Sequence, residues 1–154
     1  MLLGFDPTAA LLALAITSLA LWLLQPVARR LNLLDHPAGR KDHAVPTPVT
    51  GGLAILLGCV VAFFAVQTSS TSLLAFCGAA LLLVIVGVYD DLHDVRWYWR
   101  IIAQAIAALI IIYAGGVRVE QIGPVFGLGA MSLGWLSVPF TVFATVGLIN
   151  AMNM

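Results

Sequence analysis

The sequence predicts an all-α protein that crosses a membrane about five times, and three observations carry that expectation. Of 154 residues, 62% are hydrophobic and 9% charged, with a mean hydropathy of +1.06. That apolar share is well above that of a soluble domain. Residues 7–28, 44–89, 101–117 and 121–154 hold no Asp, Glu, Lys or Arg, and a membrane-crossing helix needs about 20 mostly apolar residues. The charges gather at the ends of these runs. Their formal sum is zero, so where they sit is more informative than what they add up to.

The first span is expected over residues 8–27. No basic residue precedes Arg29, so the N-terminus lacks the basic region of a signal peptide. A polar segment, 29–48, holds six charged residues. Span 2 is expected over 49–66, opening on Gly51-Gly52. Residues 67–72 form a short polar connection, and span 3 runs over 73–89. An acidic cluster and then Arg96–Arg100 lead to span 4, over 101–114. Between 117 and 122 apolar and polar residues alternate, the period of a strand. Glycines follow at Gly123, Gly127 and Gly129, so a small hairpin outside the bilayer is expected. Span 5 covers 135–149. Cys59 and Cys77 fall inside apolar runs and read as small packed side chains. No repeat or second domain is visible, so 1–154 reads as one integral-membrane domain.

Orientation follows from the basic residues. With five spans, Arg29, Arg30, Arg40, Lys41, Arg96 and Arg100 share one side and Arg118 lies on the other. The first side is therefore expected to be cytoplasmic and the N-terminus and hairpin periplasmic. Tyr89, Trp97, Tyr98 and Trp99 then form an aromatic belt at the cytoplasmic interface, with Tyr113 and Trp135 near the outer one.

The chain is organised around Asp90-Asp91-Leu92-His93-Asp94, three carboxylates in five residues at the end of span 3. On a continued helix Asp90 and Asp91 each face Asp94 and repel it, at the end of the helix that already carries partial negative charge. A hard divalent cation with oxygen ligands would relieve this, and Mg²⁺ usually bridges a few carboxylates to substrate phosphates. Against that stand simple solvation, pairing with Arg96 or Arg100, and a role for Asp94 as N-cap of the next helix. On the same predicted face, Arg40, Lys41 and His43 suit phosphate: a planar fork, a point charge and a titratable donor. Taken alone, they read first as an ordinary positive-inside loop. Asn150 and Asn153 share a helix face; such a face points into the bundle or a watery cavity, or makes simple interhelical hydrogen bonds.

Three segments carry a resemblance. Asp35-His36-Pro37, Arg40-Lys41, His43, Pro46, Pro48 and Gly51-Gly52 resemble the first cytoplasmic loop of WecA-type polyprenyl-phosphate N-acetylglucosamine-1-phosphate transferases, in the superfamily that includes TagO and MraY. Asp90-Asp91-Leu92-His93-Asp94 is similar to that family's DDxxD motif. Asn150-Ala151-Met152-Asn153-Met154 is similar to the start of its N-A-x-N-x-x-D-G-x-D-G motif.

The resemblance implies transfer of N-acetylglucosamine-1-phosphate from UDP-N-acetylglucosamine to undecaprenyl phosphate. UMP is released, in the first step of lipid-linked glycan synthesis, at the cytoplasmic face of a bacterial inner membrane. It implies Mg²⁺, with Mn²⁺ as a substitute, on Asp91 and Asp94, and catalytic roles for Asp90 and Asp91. Arg40, Lys41, His43, Asn150 and Asn153 are implied to bind substrate. Its partners are the two substrates and the bilayer, with no nucleic acid, and a homodimer is compatible with it. Family members share further motifs beyond position 154, so the chain is expected to be the N-terminal part of a larger transferase.

The alternatives are another sugar-1-phosphate transferase of the superfamily, a UbiA-type intramembrane prenyltransferase, and an inactive membrane fragment. The prenyltransferase needs a second aspartate-rich motif, and residues 35–42 supply a poor one.

The predicted topology is checked by cysteine labelling of whole cells. A cysteine at Gly127 is expected to react with an impermeant reagent from outside, and one at Gly39 or Asp94 is not. The reverse pattern overturns the orientation.

Overall fold

In a computed structural model of the protein, which describes residues 7–35, 47–66, 70–124 and 129–152, each predicted span is a helix. In order these are α1 (Pro7–Arg30), α2 (Gly51–Val66), α3 (Thr71–His93), α4 (Trp97–Tyr113) and α5 (Ser137–Met152). A 3₁₀ turn, Gly134–Leu136, leads into α5. The helical residues Pro7–Arg30, Thr71–His93 and Gly134–Met152 are each long and apolar enough to cross a membrane. The other two helices are apolar but shorter, at 16 and 17 residues. They reach about 24–26 Å at 1.5 Å per residue, a little under the ~30 Å hydrocarbon core.

Helix ends are set by local chemistry. Ser70 accepts the Leu73 N–H on its Oγ at 3.1 Å and starts α3, as a serine N-cap does. Asn32 ends α1 with a left-handed backbone, φ 54°. The Leu33 N–H then reaches the Ala28 carbonyl at 2.9 Å and the Asn32 N–H the Arg29 carbonyl at 3.4 Å, the two bonds of a Schellman cap. After α4, Gly116 takes φ 69°, where a side chain would be strained, and the Val117 N–H turns back to the Ile111 carbonyl at 3.3 Å.

Two short antiparallel pairs complete the fold. β1 (Leu34–Asp35) pairs with β2 (Thr47–Pro48), Leu34 opposite Pro48. β3 (Gln121–Ile122) pairs with β4 (Met131–Ser132), Gln121 opposite Ser132. The second pair is the hairpin that the 117–122 alternation predicts. The segment leading into it is held to α5 by side chains: Ser137 Oγ donates to the Val119 carbonyl at 2.6 Å, and the Val119 N–H donates to Thr141 Oγ1 at 2.9 Å. The first pair was not expected. It joins the two ends of segment 36–46, which itself lies outside the described residues.

The contacts divide the chain into two compact units, Met1–Ser69 with Val84–Val95, and Ser70–Leu83 with Arg96–Met154. In the first, α1 packs along α2. Ala54, Gly58 and Ala62 recur every fourth residue, so they share one face of α2, and both alanines are buried. Gly58 lies so close to α1 that an added Cβ would meet Thr17 Oγ1 and the Ala13 carbonyl. In the second unit the buried residues of α4 are Ala103, Gln104, Ala107, Ala108 and Ile112. Ser72 Oγ donates to the Gly115 carbonyl at 2.7 Å. Among the described residues no large side chain is fully buried. Trp22, Phe143 and Trp135 are among the most exposed, the distribution expected where small residues bring helices together and lipid covers the rest.

Gly58→Ala tests this contact. Alanine improves helix propensity by up to about 1 kcal/mol, whereas an overpacked contact costs about 1–3 kcal/mol. The variant is expected to unfold more readily in mixed micelles. Adding Thr17→Ala should recover part of the loss, because the Ala13 carbonyl still obstructs. A neutral or stabilising Gly58→Ala would rule out the close approach.

Candidate functional site

The acidic cluster is built into the end of α3. The helix runs four residues past the predicted end at Tyr89, so Asp90 and Asp91 lie in its last turn. Asp94 leaves it with a left-handed backbone, φ 51°. The Asp94 N–H donates to the Asp90 carbonyl at 2.8 Å. The Val95 N–H donates to the Asp90 carboxylate Oδ1 at 3.0 Å. Asp90 thus receives both amides of the turn, one on its backbone and one on its side chain. It is half-buried, while Asp91 and Asp94 are exposed.

The expectation that Asp94 caps the next helix is corrected. The N-cap of α4 is Arg96, with no side-chain capping bond, and Asp94 is instead the residue that terminates α3.

His93 folds back on the same turn. Its Nδ1 donates to the Tyr89 carbonyl at 3.2 Å, and its ring stacks on Tyr89 with centroids 4.2 Å apart. Arg96 donates from Nη1 to Tyr98 Oη at 3.3 Å. Tyr89, Trp97 and Trp99 are exposed, as an aromatic belt requires.

Asn150 lies in the second unit, near the end of α5. Its Nδ2 donates to Gln104 Oε1 of α4 at 2.6 Å and to the Val146 carbonyl at 2.8 Å. This is the interhelical bond weighed above for the asparagines. Gln104, 8% exposed, was not singled out from the sequence. It interrupts an apolar run as its only amide, and that was the available signal. Arg40, Lys41, His43 and Asn153 lie outside the described residues.

Among the described residues no three His, Cys, Asp or Glu side chains converge as a metal cage. Asp91 and Asp94 are each exposed carboxylates, the ligand type of a cation of the Mg²⁺ kind, which uses one or two of them and completes its shell with water and substrate phosphates.

The fold and this acidic turn define an integral-membrane protein with a carboxylate cluster at a helix end. The particular family follows from comparison: the model for glycosyl transferase family 4 matches residues 72–154, and the chain belongs to that family. It is 30% identical over 138 residues to the undecaprenyl-phosphate alpha-N-acetylglucosaminyl 1-phosphate transferase of Escherichia coli K12, covering 90% of this chain and 38% of that protein. It is 31% identical over 134 residues to the protein of the same name from Yersinia pestis, covering 87% and 37%. A probable undecaprenyl-phosphate N-acetylglucosaminyl 1-phosphate transferase of Bacillus subtilis strain 168 is 27% identical over 147 residues, covering 92% and 41%. The chain thus spans about two fifths of the length of the curated relatives it matches. No solved structure matches it.

The turn makes a stability prediction. Asp90→Ala strips the acceptor from the Val95 N–H and is expected to cost about 1 kcal/mol, while Asp90→Asn keeps an oxygen there and costs less. A β-branched residue in a left-handed backbone costs roughly 1–2 kcal/mol, so Asp94→Val should destabilise and Asp94→Gly should not. Thermal unfolding in detergent reads both, and Asp94→Gly less stable than Asp94→Val would refute the left-handed turn.

Proposed function

We propose that this chain serves the transfer of N-acetylglucosamine-1-phosphate from UDP-N-acetylglucosamine to undecaprenyl phosphate, with release of UMP, at the cytoplasmic face of a bacterial inner membrane. The observation that carries the reading is the acidic turn at the end of α3, inside the family match and in a chain similar over about nine tenths of its length to transferases so named. An oxygen of the lipid phosphate bonds to the phosphorus that bears the sugar. The bond from that phosphorus to the oxygen of UMP breaks, and a lipid diphosphate-linked sugar remains. Nucleophile, electrophile and leaving group are all anionic, so the protein's task is alignment and charge neutralisation.

The residues divide that task. Asp90, whose Oδ1 is oriented by the Val95 N–H, directs the lipid phosphate. Asp91 and Asp94 supply carboxylates to Mg²⁺ or Mn²⁺, which when bound neutralises diphosphate charge. Arg40, Lys41 and His43 hold phosphate oxygens. Asn150 and Asn153 contact the nucleotide sugar or order the metal site. Apolar helix faces carry the prenyl tail; around Pro26 of α1 a crevice is lined by Trp22, Leu23, Gln25, Pro26 and Arg29.

The test uses membranes containing this chain, or a chimera in which it replaces the matching portion of the Escherichia coli K12 relative. Transfer of labelled N-acetylglucosamine-1-phosphate is followed across a Mg²⁺ series. Asp91→Asn is expected to slow it roughly 10²- to 10³-fold, the usual loss when one transition-state-stabilising group is removed. Extra Mg²⁺ should restore part of that rate and do little for Asp90→Asn. No transfer by either protein, or near-normal rates for both variants at low Mg²⁺, would sink the reading.

A further inference from the structure

We propose that Gln104 is a positioning residue that locks the Asn150 amide so that the side chain presents its oxygen, a pure acceptor, to the nucleotide-sugar ligand. The inference rests on the transfer reaction proposed above and names what one part of its site recognises. Asn150 Nδ2 has two hydrogens, and both are used. One goes to the Val146 carbonyl at 2.8 Å and the other to Gln104 Oε1 at 2.6 Å. The first bond fixes the orientation of the amide without ambiguity, because a backbone carbonyl can only accept. The same nitrogen then faces Gln104, so Gln104 must offer its oxygen. Both groups lie within one compact unit; Gln104 is buried on α4 and Asn150 half-buried on α5.

What Asn150 can give a ligand is therefore Oδ1. That oxygen accepts from a hydroxyl, an amide N–H or a cation-bound water, and has nothing to offer an ionised phosphate oxygen, which is itself only an acceptor. Phosphate recognition is left to the cations of the chain, and Asn150 reads a donor on the nucleoside, the sugar or a bound water. Gln104 touches no ligand. It acts through Asn150, by keeping the amide from rotating.

Two readouts test this. The chain has three asparagines, Asn32, Asn150 and Asn153, so selective ¹⁵N-asparagine labelling leaves three side-chain amides, and the Asn150 amide is the one whose signal is lost in Asn150→Asp. Its protons should exchange slowly, at least tenfold faster in Gln104→Leu, and at the parent rate in Gln104→Glu, which keeps an oxygen at the same place whether ionised or not. Equal exchange in parent and Gln104→Leu overturns the lock.

In the chimera, Gln104→Leu should raise the KM for UDP-N-acetylglucosamine about tenfold, a change of about 1.4 kcal/mol. The KM for undecaprenyl phosphate, kcat, and inhibition by inorganic pyrophosphate should stay within about twofold, and Gln104→Glu should restore the nucleotide-sugar KM. A parallel loss on both substrates or on pyrophosphate makes Gln104 merely structural and overturns the proposal.

Where the parent gives no transfer, the reaction proposed above fails, and equilibrium binding of UDP-N-acetylglucosamine decides in place of KM. A tenfold ratio there upholds the lock, and no binding or an unchanged affinity overturns it. A ratio that persists in chelator assigns the donor to the nucleotide sugar; one that appears only with Mg²⁺ assigns it to water on the cation.

Discussion

Between helices in lipid there is little hydrophobic drive, because lipid tails are as apolar as leucine, so association depends on close backbone approach and internal hydrogen bonds. The rest of this structure depends on how the chain meets that constraint. Ala54, Gly58 and Ala62 make one face of α2 almost without side chains, and Gly58 lies against Thr17 and the Ala13 carbonyl of α1. In the second unit, Ala103, Ala107 and Ala108 do the same for α4. Large apolar side chains are then not needed inside and are carried outward, Trp22 at 73% and Phe143 at 78% exposure. Backbone groups at helix ends cannot be left to lipid. Ser70, Asn32 and Gly116 each serve an end within the chain, as Ser137 and Thr141 serve the Val119 backbone.

The end of α3 follows the same logic but exceeds it. Capping accounts for one carboxylate, since Asp90 receives the Val95 N–H. It does not account for Asp91, an exposed acid in the last turn, where the helix dipole opposes negative charge by about 0.3–1 kcal/mol. Nor does it account for Asp94, because glycine or asparagine ordinarily fills a left-handed helix terminus. Capping and helix-end chemistry thus account for Asp90 and leave the placing of Asp91 and Asp94 to other causes. Local rules are typically broken in this way at functional positions, and the family match begins at residue 72 and includes this turn.

The helices were legible because uncharged runs of span length have few other solutions. Their ends were less so. The 73–89 run stops at the first acid, but hydrogen bonding does not, and α3 continues to His93. The 117–122 alternation foretold a hairpin, and of those residues only Gln121–Ile122 is paired strand. Nothing in residues 34–35 and 47–48 foretold their pairing, and Pro46 and Pro48 read against a strand. Asp94 looked like an N-cap because aspartate is common there; only the sign of its φ distinguishes the end of one helix from the start of the next. Gln104 was passed over inside an apolar run, where an amide reads as an interruption until its partner on α5 is known.

That partner also explains why the amide pair is worth more as geometry than as adhesion. Polar contacts between membrane helices contribute on average about 0.6 kcal/mol, because polar groups in the unfolded membrane state also find partners. Removing one such bond would shift the folding equilibrium by less than threefold, from the usual factor of ten per 1.4 kcal/mol. Together with the bond to the Val146 carbonyl, the Gln104 bond also determines whether the Asn150 amide shows a ligand its oxygen or its nitrogen. Reversing donor and acceptor at a buried contact leaves a polar atom unsatisfied, which costs about 1–3 kcal/mol. The orientation of Asn150 therefore carries a larger free-energy difference than the cohesion of α4 with α5 that the same hydrogen bond provides.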